Sequence, residues 1–273
     1  MALVTKPTFV YMIVVFMLLV SLCSSEPNTV EAVGYDYTQG RPKGPEQWGK
    51  LNPDWKLCSD GKSQSPIDIQ TKSVQQDPQL GWLHTEYKPA PAILQNRGHD
   101  LAVFWKEDAG KLNINGTDYN LLNCHWHTPS EHKIDGKEYI AELHMVHESS
   151  NGERAVIAVL YELVNPDNFL EKLLPFIDII NQDDINLGNV DPSLILFDHE
   201  KYYRYIGSLT TPPCTEGVIW TVIKKVQTAS VKQIVDLKQA VGGVYTLNAR
   251  PQQKIEGRTI WDSEVKKASP KDL

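Results

Sequence analysis

The sequence predicts a single domain of the mainly β (α+β) class, with a mostly antiparallel sheet and few helices. Five segments rich in β-branched and aromatic residues dominate the chain, and this composition favours pleated strands. Only two segments carry helix signals, and they are scattered rather than alternating with the strands, which disfavours a doubly wound parallel sheet. The 273 residues contain no repeat, low-complexity stretch or internal linker.

The strand-like segments are residues 99–105, 121–127, 139–147, 155–164 and 217–226. In the first segment, Leu101, Val103 and Trp105 alternate with other residues and therefore share one face. Asp135 and Gly136 form a hairpin-type pair between the second and third segments. We expect that turn to lay these two segments side by side in the sheet.

Two helices are predicted outside these strands. Residues 166–174 begin with Pro-Asp and meet Pro175, which should end or kink the helix because proline lacks a backbone N–H donor. Residues 230–241 open on Ser230 with Gln233 three positions later, which is a capping-box pattern. Aliphatic side chains then recur on one side of this second segment, as in a helix that packs on a core.

Charge and composition restrict the classes of partner. The chain has 27 basic and 34 acidic residues, a net charge of −7, which argues against a nucleic-acid or anionic-membrane surface. Its 22% charged and 41% apolar residues are ordinary values for a globular protein, so extensive disorder is excluded.

Residues 1–25 are predicted to be a signal peptide. They contain one Lys, no acidic residue, an apolar run at residues 9–20 and small residues before a cleavage point after Ser25. The run is shorter than the roughly 20 residues of a transmembrane helix, so a cleaved signal is favoured over a membrane anchor. Cleavage leaves residues 26–273 with a net charge of 26 − 34 = −8. The sequence therefore predicts a secreted protein without a stable membrane anchor.

The secreted chain keeps Cys58, Cys124 and Cys214 in an oxidising compartment, where disulfides persist. Three cysteines allow one pair and one free thiol. Because Cys58 lies in a polar loop and Cys214 follows two prolines, we expect these two to pair and Cys124 to be a buried thiol. Secretion also makes Asn115, in an Asn-Gly-Thr sequon, a predicted N-glycosylation site.

The histidines are the candidates for a metal site, and five of them fall within residues 125–147. On a strand, His125 and His127 project to one side, and Glu142 and His144 share a face of the next strand. If the hairpin pairs these strands, three imidazoles meet in an arrangement that suits Zn²⁺ and leaves a fourth position for water. Glu142 is then placed to orient a ligand. On spacing alone, structural core histidines are an equal alternative.

Six ordered segments carry a resemblance to a known family. They are Gly44-Pro-Glu-Gln-Trp48, Gln64-Ser-Pro-Ile-Asp68, Gly98-His99, His125-Trp-His-Thr-Pro-Ser-Glu-His132, Ala141-Glu-Leu-His-Met-Val-His147 and Gly207-Ser-Leu-Thr-Thr-Pro-Pro-Cys-Thr-Glu216. Together they resemble the α-class carbonic anhydrases, in particular secreted plant members that include dioscorin- and nectarin-like proteins. The similarity runs over residues 35–258, the core of a predicted domain at residues 26–273. It implies a large twisted sheet of about ten mostly antiparallel strands with short peripheral helices.

The resemblance implies a zinc carbonate hydro-lyase, in which zinc-bound hydroxide converts carbon dioxide reversibly to bicarbonate and a proton. His125, His127 and His144 match the zinc ligands. Thr210 matches the residue that accepts a hydrogen bond from the hydroxide, and Glu131 matches the carboxylate that receives the Thr210 proton. The implied partners are small molecules only, and the implied assembly is a monomer or weak dimer. A plant source would imply the apoplast, and plastid delivery by the secretory route stays open.

Further positions match groups around the zinc. His99 matches the histidine that shuttles the proton to buffer, since an imidazole titrates near neutral pH. Thr211 matches a neighbouring hydroxyl on the substrate side. The apolar wall that holds carbon dioxide is matched by Val146, Val156, Leu209 and Trp220. Cys58 and Cys214 match the disulfide of secreted members, which agrees with the pairing expected above.

Three positions depart from the family pattern. Asn123 stands where the family usually has Gln, the partner of a zinc-ligand histidine, so the reach of that amide should differ. Arg97 and Ala102 stand where polar pocket amides are common, so the pocket should differ in shape and charge. None of these changes removes an expected ligand.

Two alternative functions follow from the same residues. The first is a storage or redox protein on the same fold with weak catalysis, as in the dioscorins; its sign in the sequence would be a lost ligand, and none is lost. The second is a cupin-type manganese or iron oxidase, because the spacing of His125, His127 and Glu131 mimics the first cupin motif. Gly136 follows too early for that motif and the second cupin motif is missing, so this alternative is disfavoured.

Overall fold

Thirteen strands form one twisted sheet in this protein, seen in a computed structural model that describes residues 34–181 and 183–264. The signal peptide predicted at residues 1–25 lies outside the described residues. Within the described ranges, no helix combines the length and the apolar character that crossing a membrane requires.

The secondary structure of the described residues is numbered here in chain order. The strands are β1 (Asp68–Ile69), β2 (Gln75–Gln76), β3 (His84–Tyr87), β4 (Ala90–Asn96), β5 (Leu101–Trp105), β6 (Gly110–Ile114), β7 (Thr117–His127), β8 (Lys133–Ile134), β9 (Ala141–Ser149), β10 (Arg154–Leu163), β11 (Ile185–Val190), β12 (Tyr202–Ser208), β13 (Glu216–Ile223), β14 (Gln227–Ala229) and β15 (Trp261–Asp262). The helices are α1 (Trp48–Leu51), α2 (Leu57–Asp60), α3 (Asn168–Ile177) and α4 (Val231–Val241).

The sheet is mostly antiparallel, as predicted. Ten strands follow one another in the order β11-β4-β5-β7-β9-β10-β13-β12-β15-β2, and β3, β6 and β14 pair beside them. Parallel pairing joins β10 to β13 and to β14, and β15 to β2, whereas β1 and β8 form a separate parallel pair. All five predicted strands occur, as β5, β7, β9, β10 and β13. The sheet exceeds the expected ten strands because short strands, such as β3 and β14, add to it.

The two faces of the sheet bury different apolar clusters. The larger cluster contains Cys124 and Trp126 of β7 together with the buried sides of α3 and α4. The smaller cluster contains Val156 and Trp220. Because side chains alternate along a strand, the residues next to Cys124 and Trp126 on β7 project toward the face of the smaller cluster. That alternation places the candidate site residues on one face and the main core on the other.

The first long helix, α3, extends beyond the end predicted from the sequence. Asp167 caps α3 by accepting a hydrogen bond from the backbone N–H of Leu170, and the helix continues through Pro175 to Ile177. Pro175 therefore does not end the helix, and buried residues of the same helix lie on both sides of it. One missing backbone donor is a small loss against the burial of a full apolar face that includes Phe169 and Leu173.

The second long helix agrees with the prediction. Ser230 Oγ accepts the backbone N–H of Gln233 at 3.3 Å, and Gln233 Oε1 accepts the backbone N–H of Ser230 at 3.0 Å. These reciprocal bonds are the capping box expected from the sequence. They satisfy two backbone donors that the first turn of α4 would otherwise leave free.

The expected disulfide is present. Cys58 and Cys214 are joined across a sequence separation of 156, with their Cα atoms 5.0 Å apart. Cys124 is the free cysteine of the described residues, and it is buried. Asn115 is exposed in the tight turn between β6 and β7, where it and Gly116 have φ angles of 52° and 84°. Its glycosylation stays a prediction.

His147 of β9 is a buried histidine on the face of the larger cluster. Its Nε2 lies 2.8 Å from Tyr87 Oη, and its Nδ1 lies 3.3 Å from the carbonyl oxygen of Ala155. Burial lowers the pKa of His147 from its ordinary value of 6.5 to about 4. Between these two pH values the unfolded chain binds the proton and the folded chain does not, so acid favours unfolding.

We expect this group to lower the free energy of unfolding by about 3 kcal/mol between pH 7 and pH 4. Urea titrations over this range, with a chelator present, should give a flatter pH dependence for His147→Gln than for wild type. His84→Gln, which replaces an exposed histidine, should keep the wild-type dependence. Identical curves for wild type and His147→Gln would contradict the assignment.

Candidate metal centre

Three histidine rings converge on the face of the sheet that carries the smaller apolar cluster. His125 and His127 lie at the end of β7, and His144 lies directly opposite His125 on the antiparallel strand β9. One nitrogen of each ring lies within 4.8 Å of those of the other two. The strand alternation and the pairing expected from the sequence therefore bring these three residues together.

Two of the rings are oriented by the residue two positions earlier on the same strand. His125 Nδ1 donates to Asn123 Oδ1 at 3.1 Å, so the shorter amide at this position still reaches its histidine. His144 Nε2 donates to Glu142 Oε1 at 2.8 Å. With these nitrogens protonated, His125 Nε2 and His144 Nδ1 carry the lone pairs that a metal would use.

The third ring is oriented by a backbone group far away in the sequence. His127 Nδ1 donates to the carbonyl oxygen of Asn248 at 2.7 Å across a separation of 121 residues. The Asn248 side chain also links its own segment to the end of β7 and to the turn at His99. It accepts a hydrogen bond from the backbone N–H of Thr128 and donates one to the carbonyl oxygen of His99. The role of Asn248 cannot be predicted from the sequence, since a backbone carbonyl acceptor has no side-chain signature.

All three rings are held in the neutral form at neutral pH. Burial is the main cause, and it lowers the pKa of His125, His127 and His144 below the ordinary value of 6.5. Metals bind the neutral imidazole, so burial removes the competition with protons that would otherwise weaken binding.

Glu142 connects two histidines in a buried network. Its Oε1 lies 2.6 Å from His132 Nδ1, and His132 Nε2 lies 2.7 Å from Tyr205 Oη. Although burial raises it, the adjacent His132 and His144 hold the pKa of Glu142 well below its usual range. The set His132, Glu142 and His144 also has the spacing of metal ligands, but these hydrogen bonds already use its contact atoms. His132, to which the sequence assigned no role, therefore positions the carboxylate that orients His144.

Glu131 is a fully buried carboxylate beside the three rings. Its Oε1 accepts the backbone N–H of Arg250 at 2.8 Å, and its Oε2 lies 3.5 Å from His127 Nε2. Burial raises the pKa of Glu131, and the nearby His127 and the Thr210 hydroxyl act in the opposite direction. No hydrogen bond of standard geometry joins Thr210 to Glu131, so the proton-accepting role of Glu131 stays a prediction.

An apolar surface lies beside His144. Val146, Val156 and Trp220 are successive neighbours across β9, β10 and β13, and Leu209 packs against the same cluster. The Trp220 ring centroid is 4.8 Å from that of His144. The four residues expected to form the carbon dioxide wall are thus gathered at one place. Thr211 is half-buried in the segment that follows β12.

His99 lies in the turn between β4 and β5, where Gly98 has a φ of 80°. Its side chain is 15% exposed, with Nε2 3.6 Å from the Asp100 carboxylate. Its Nδ1 lies 3.1 Å from the carbonyl oxygen of Arg97. Burial lowers the pKa of His99 below its ordinary value, so the ring is neutral at neutral pH. Both ring nitrogens therefore face groups of their own turn in this conformation.

The two other departures from the expected pattern lie on either side of this turn. Arg97 Nε donates to Asp100 Oδ1 at 2.6 Å, so the Arg97 charge is compensated inside the turn. Although burial raises it, Arg97 holds the pKa of Asp100 well below its usual range. Ala102 is buried opposite His125 in the register of β5 and β7.

Comparison with known proteins decides the family. A sequence profile described as "Eukaryotic-type carbonic anhydrase" matches residues 43–264. The chain belongs to the eukaryotic-type carbonic anhydrase family. Among relatives in this family, alpha carbonic anhydrase 4 of Arabidopsis thaliana is 49% identical over 253 residues, which cover 93% of this chain and 94% of the relative.

Two solved structures share the carbonic anhydrase fold of this chain. Dioscorin complexed with ascorbate has a TM-score of 0.82 at 43% identity, covering 84% of this chain and 97% of that one. The α-carbonic anhydrase of Thermovibrio ammonificans, complexed with the inhibitor sulfanilamide, has a TM-score of 0.76 at 32% identity, covering 83% and 98%. The predicted family resemblance and fold class are confirmed, and the cupin-type alternative is not supported.

Proposed function

We propose that this carbonic anhydrase family member catalyses the reversible hydration of carbon dioxide, with Zn²⁺ bound by His125, His127 and His144. The observation that carries the proposal is the convergence of three buried imidazole nitrogens, each on a ring whose other nitrogen is already hydrogen-bonded. Membership of the family and 49% identity to an Arabidopsis α-carbonic anhydrase support the same activity.

The residues present fit a zinc ion. His127 Nε2 is a buried polar atom without a hydrogen-bond partner among the described residues, which is costly unless another group binds there. Three neutral imidazoles are a donor set that zinc accepts in catalytic sites. When bound, zinc lowers the pKa of a coordinated water so that hydroxide is available near neutral pH, a property known from carbonic anhydrases as a class.

The substrate would be held by contact rather than by hydrogen bonds. Carbon dioxide has no charge and no donor, so an apolar surface next to the three histidines suits it. That surface is formed by Val146, Val156, Leu209 and Trp220. Glu131 would accept the Thr210 proton, so that the Thr210 hydroxyl could only accept a hydrogen bond from the attacking O–H group and would orient it. Thr211, the next hydroxyl along the chain, would contact the substrate side.

Proton removal is assigned to His99. Each turnover releases a proton, and a neutral imidazole has a nitrogen lone pair that can accept one. Burial lowers the pKa of His99 in this conformation, so the ring would accept a proton more readily once it turns toward solvent. Passing the proton to buffer requires the ring to turn away from the Arg97 carbonyl and the Asp100 carboxylate, which hold it in the turn.

The direct test is stopped-flow carbon dioxide hydration by the purified secreted protein, with zinc content measured on the same sample. We expect about one zinc per chain, hydration above the uncatalysed rate, and inhibition by sulfanilamide, as in the Thermovibrio complex. Chelation should remove the activity and added zinc should restore it. Zinc-loaded protein without hydration activity would contradict the proposal, as would activity that survives complete zinc removal.

Replacing His99 by Ala should lower kcat in weak buffer on the order of 10- to 100-fold, because proton export then loses its carrier. The ratio kcat/KM should hardly change, since carbon dioxide conversion is a separate step. Imidazole buffer should restore kcat, and His84→Ala should behave as wild type. Equal losses in both parameters, without rescue by imidazole, would count against the shuttle role.

A storage or redox protein is the second candidate, and one observation favours it. Dioscorin, 43% identical to this chain, was solved in complex with ascorbate. Among the described residues no cysteine offers an exposed thiol, because Cys124 is buried and the other two form the disulfide. Thiol exchange needs an accessible thiolate, so ascorbate binding suits this chain better than thiol-based redox chemistry. Calorimetric ascorbate binding by protein that lacks hydration activity would favour this candidate.

We also propose that the protein is secreted, as a glycoprotein modified at Asn115 and as a monomer or weak dimer. The disulfide supports an oxidising compartment, and the exposed turn at Asn115 supports access for the modifying enzyme. The apoplast is the proposed destination in a plant. The intact mass of the secreted protein tests cleavage after Ser25 and modification of Asn115 together.

A further inference from the structure

Arg204 is a buried arginine that has no acidic partner within residues 34–181 and 183–264. It lies in the middle of β12, and the residue is 8% exposed. No carboxylate oxygen of the described residues lies within 4.0 Å of its guanidinium. Its Nε donates to Thr221 Oγ1 at 3.1 Å, and its guanidinium lies 5.0 Å from the Tyr202 ring centroid. The terminal nitrogens Nη1 and Nη2 make no hydrogen bond to the described residues.

These contacts compensate the charge only in part. A guanidinium largely withdrawn from water is stabilised by an anion or by further acceptors, and one hydroxyl with one aromatic face supplies only part of that. Its terminal nitrogens are not among the fully buried polar atoms without a partner, so they remain open to a ligand. Burial lowers the pKa of Arg204, as expected for a cation that lacks a counterion. Arg258 in the same region differs, because its Nε and Nη2 donate to the carbonyl oxygens of Ile255 and Gln64 at 2.9 and 2.7 Å.

Arg204 lines a recess of about 510 Å³ whose walls are mainly apolar. Ile206 and Trp261 are 49% and 36% exposed and form two of these walls. A second recess of about 300 Å³ adjoins the first, and Arg204 and Asn115, the proposed glycosylation site, line both. Two further charged side chains line the first recess: Asp77, whose Oδ1 accepts the backbone N–H of Gln79, and Arg258, whose opposite charge offsets that of Asp77. The volume lies in the range of sites that bind small organic molecules.

The recess is separate from the metal centre. Arg204 and Ile206 alternate along β12 with Tyr203 and Tyr205, which belong to the smaller apolar cluster beside the three histidines, although Tyr205 also borders the recess. Arg204 therefore projects from the opposite face of the sheet. A molecule in the recess and a substrate at the metal centre would not compete for the same groups.

We propose that this recess binds an amphipathic carboxylate, a small organic acid with a ring or a short aliphatic body. The carboxylate would accept two parallel hydrogen bonds from Nη1 and Nη2 of Arg204, the geometry that a guanidinium favours. The apolar body would pack against Ile206 and Trp261. The net charge of −7 gives anions no long-range attraction, so selection rests on the guanidinium fork and the apolar walls together.

The test is isothermal titration of the purified, zinc-loaded and enzymatically deglycosylated protein with 2-naphthylacetate, in the presence of saturating sulfanilamide to block the metal centre. We expect binding with a Kd on the order of 100 µM. The uncharged analogue 2-naphthylacetamide, and acetate, which lacks the ring, should each bind at least about tenfold more weakly. Comparable affinity for the amide would overturn the role of the charge, and comparable affinity for acetate would overturn the role of the apolar walls.

Variants assign the site to named residues. Arg204→Met should weaken 2-naphthylacetate binding at least about tenfold, and Arg204→Lys should fall between it and wild type, because a lysine keeps the charge but loses the fork. Arg41→Met, at an exposed arginine outside the recess, should bind as wild type. If Arg204→Met fails to fold, Arg204→Lys and Trp261→Ala carry the test, and both should weaken binding.

Three results would overturn the proposal. One is binding that Arg204→Lys and Trp261→Ala leave unchanged. Another is loss of binding when sulfanilamide is present, because the probe would then occupy the metal centre. The third is a dimer, detected by analytical ultracentrifugation and abolished by Ile206→Lys, because the recess would then be an interface between two copies of this chain.

Discussion

Replacing His144 by Ala is expected to abolish both zinc binding and carbon dioxide hydration. The remaining rings of His125 and His127 leave two nitrogens, fewer than the three protein ligands of catalytic zinc sites. Loss of a group that merely orients a ligand already costs roughly 10- to 100-fold in metal affinity or activity, so loss of the ligand itself should exceed the upper end of that range. Zinc content after dialysis and stopped-flow hydration measure the two losses separately.

A third measurement separates this effect from misfolding. Zinc binds the folded state, so added zinc should raise the melting temperature of chelated wild type and should not raise that of His144→Ala. His144→Gln keeps more of the side-chain volume and should show the same loss of zinc. His84→Ala serves as the matched control at an exposed histidine and should retain zinc, activity and the thermal shift. Full zinc occupancy in either His144 variant would refute the ligand assignment.

Replacing both Cys58 and Cys214 by Ala is expected to lower the free energy of unfolding by about 5 kcal/mol. The bond closes a loop across a sequence separation of 156, so its loss restores many conformations to the unfolded chain. Folded proteins of this kind are stable by about 5 to 15 kcal/mol, so this single bond would decide whether the domain is folded at elevated temperature. Denaturant titrations of wild type and variant under oxidising conditions give the difference.

The control for this loss is the third cysteine. Cys124→Ala removes a buried thiol without opening a crosslink, and it should cost far less than the double variant. Adding a reductant should destabilise wild type and leave the double variant unchanged. A double variant as stable as wild type would mean that the crosslink does not restrict the unfolded chain as the loop length suggests.

The parts of the fold that depend on local sequence patterns could be predicted. Alternation in β7 separates His125 and His127 from Cys124 and Trp126, and the same period on β9 separates His144 from Met145. The groups that orient His125 and His144 stand two positions earlier on the same strands, so they too could be found from spacing. The end of α3 could not be predicted from local patterns, because burial of the apolar face of the helix outweighs the local effect of Pro175.

The parts of the site that spacing could not predict depend on contacts distant in sequence. His127 is oriented by the carbonyl of Asn248, and Glu131 accepts the backbone N–H of Arg250. A backbone carbonyl or N–H is present at every such position, so nothing in the sequence distinguishes the one that is used. The sequence also gives no sign that Arg204 lacks a carboxylate partner in the part of the chain that the structure describes, because that property depends on the arrangement of side chains in three dimensions.

Several features could be predicted from the chain alone: the strand periodicity, the capping box of α4, the pairing of the cysteines and the identity of the three converging histidines. Periods of two residues and local caps act through neighbouring positions, so they can be read along the chain. The tertiary structure was needed to show how His127 and Glu131 are held, how far His99 is enclosed by its turn, and that Arg204 has no carboxylate partner among the described residues. Those properties arise from burial and from contacts across more than a hundred residues, as between His127 and Asn248, which are 121 positions apart.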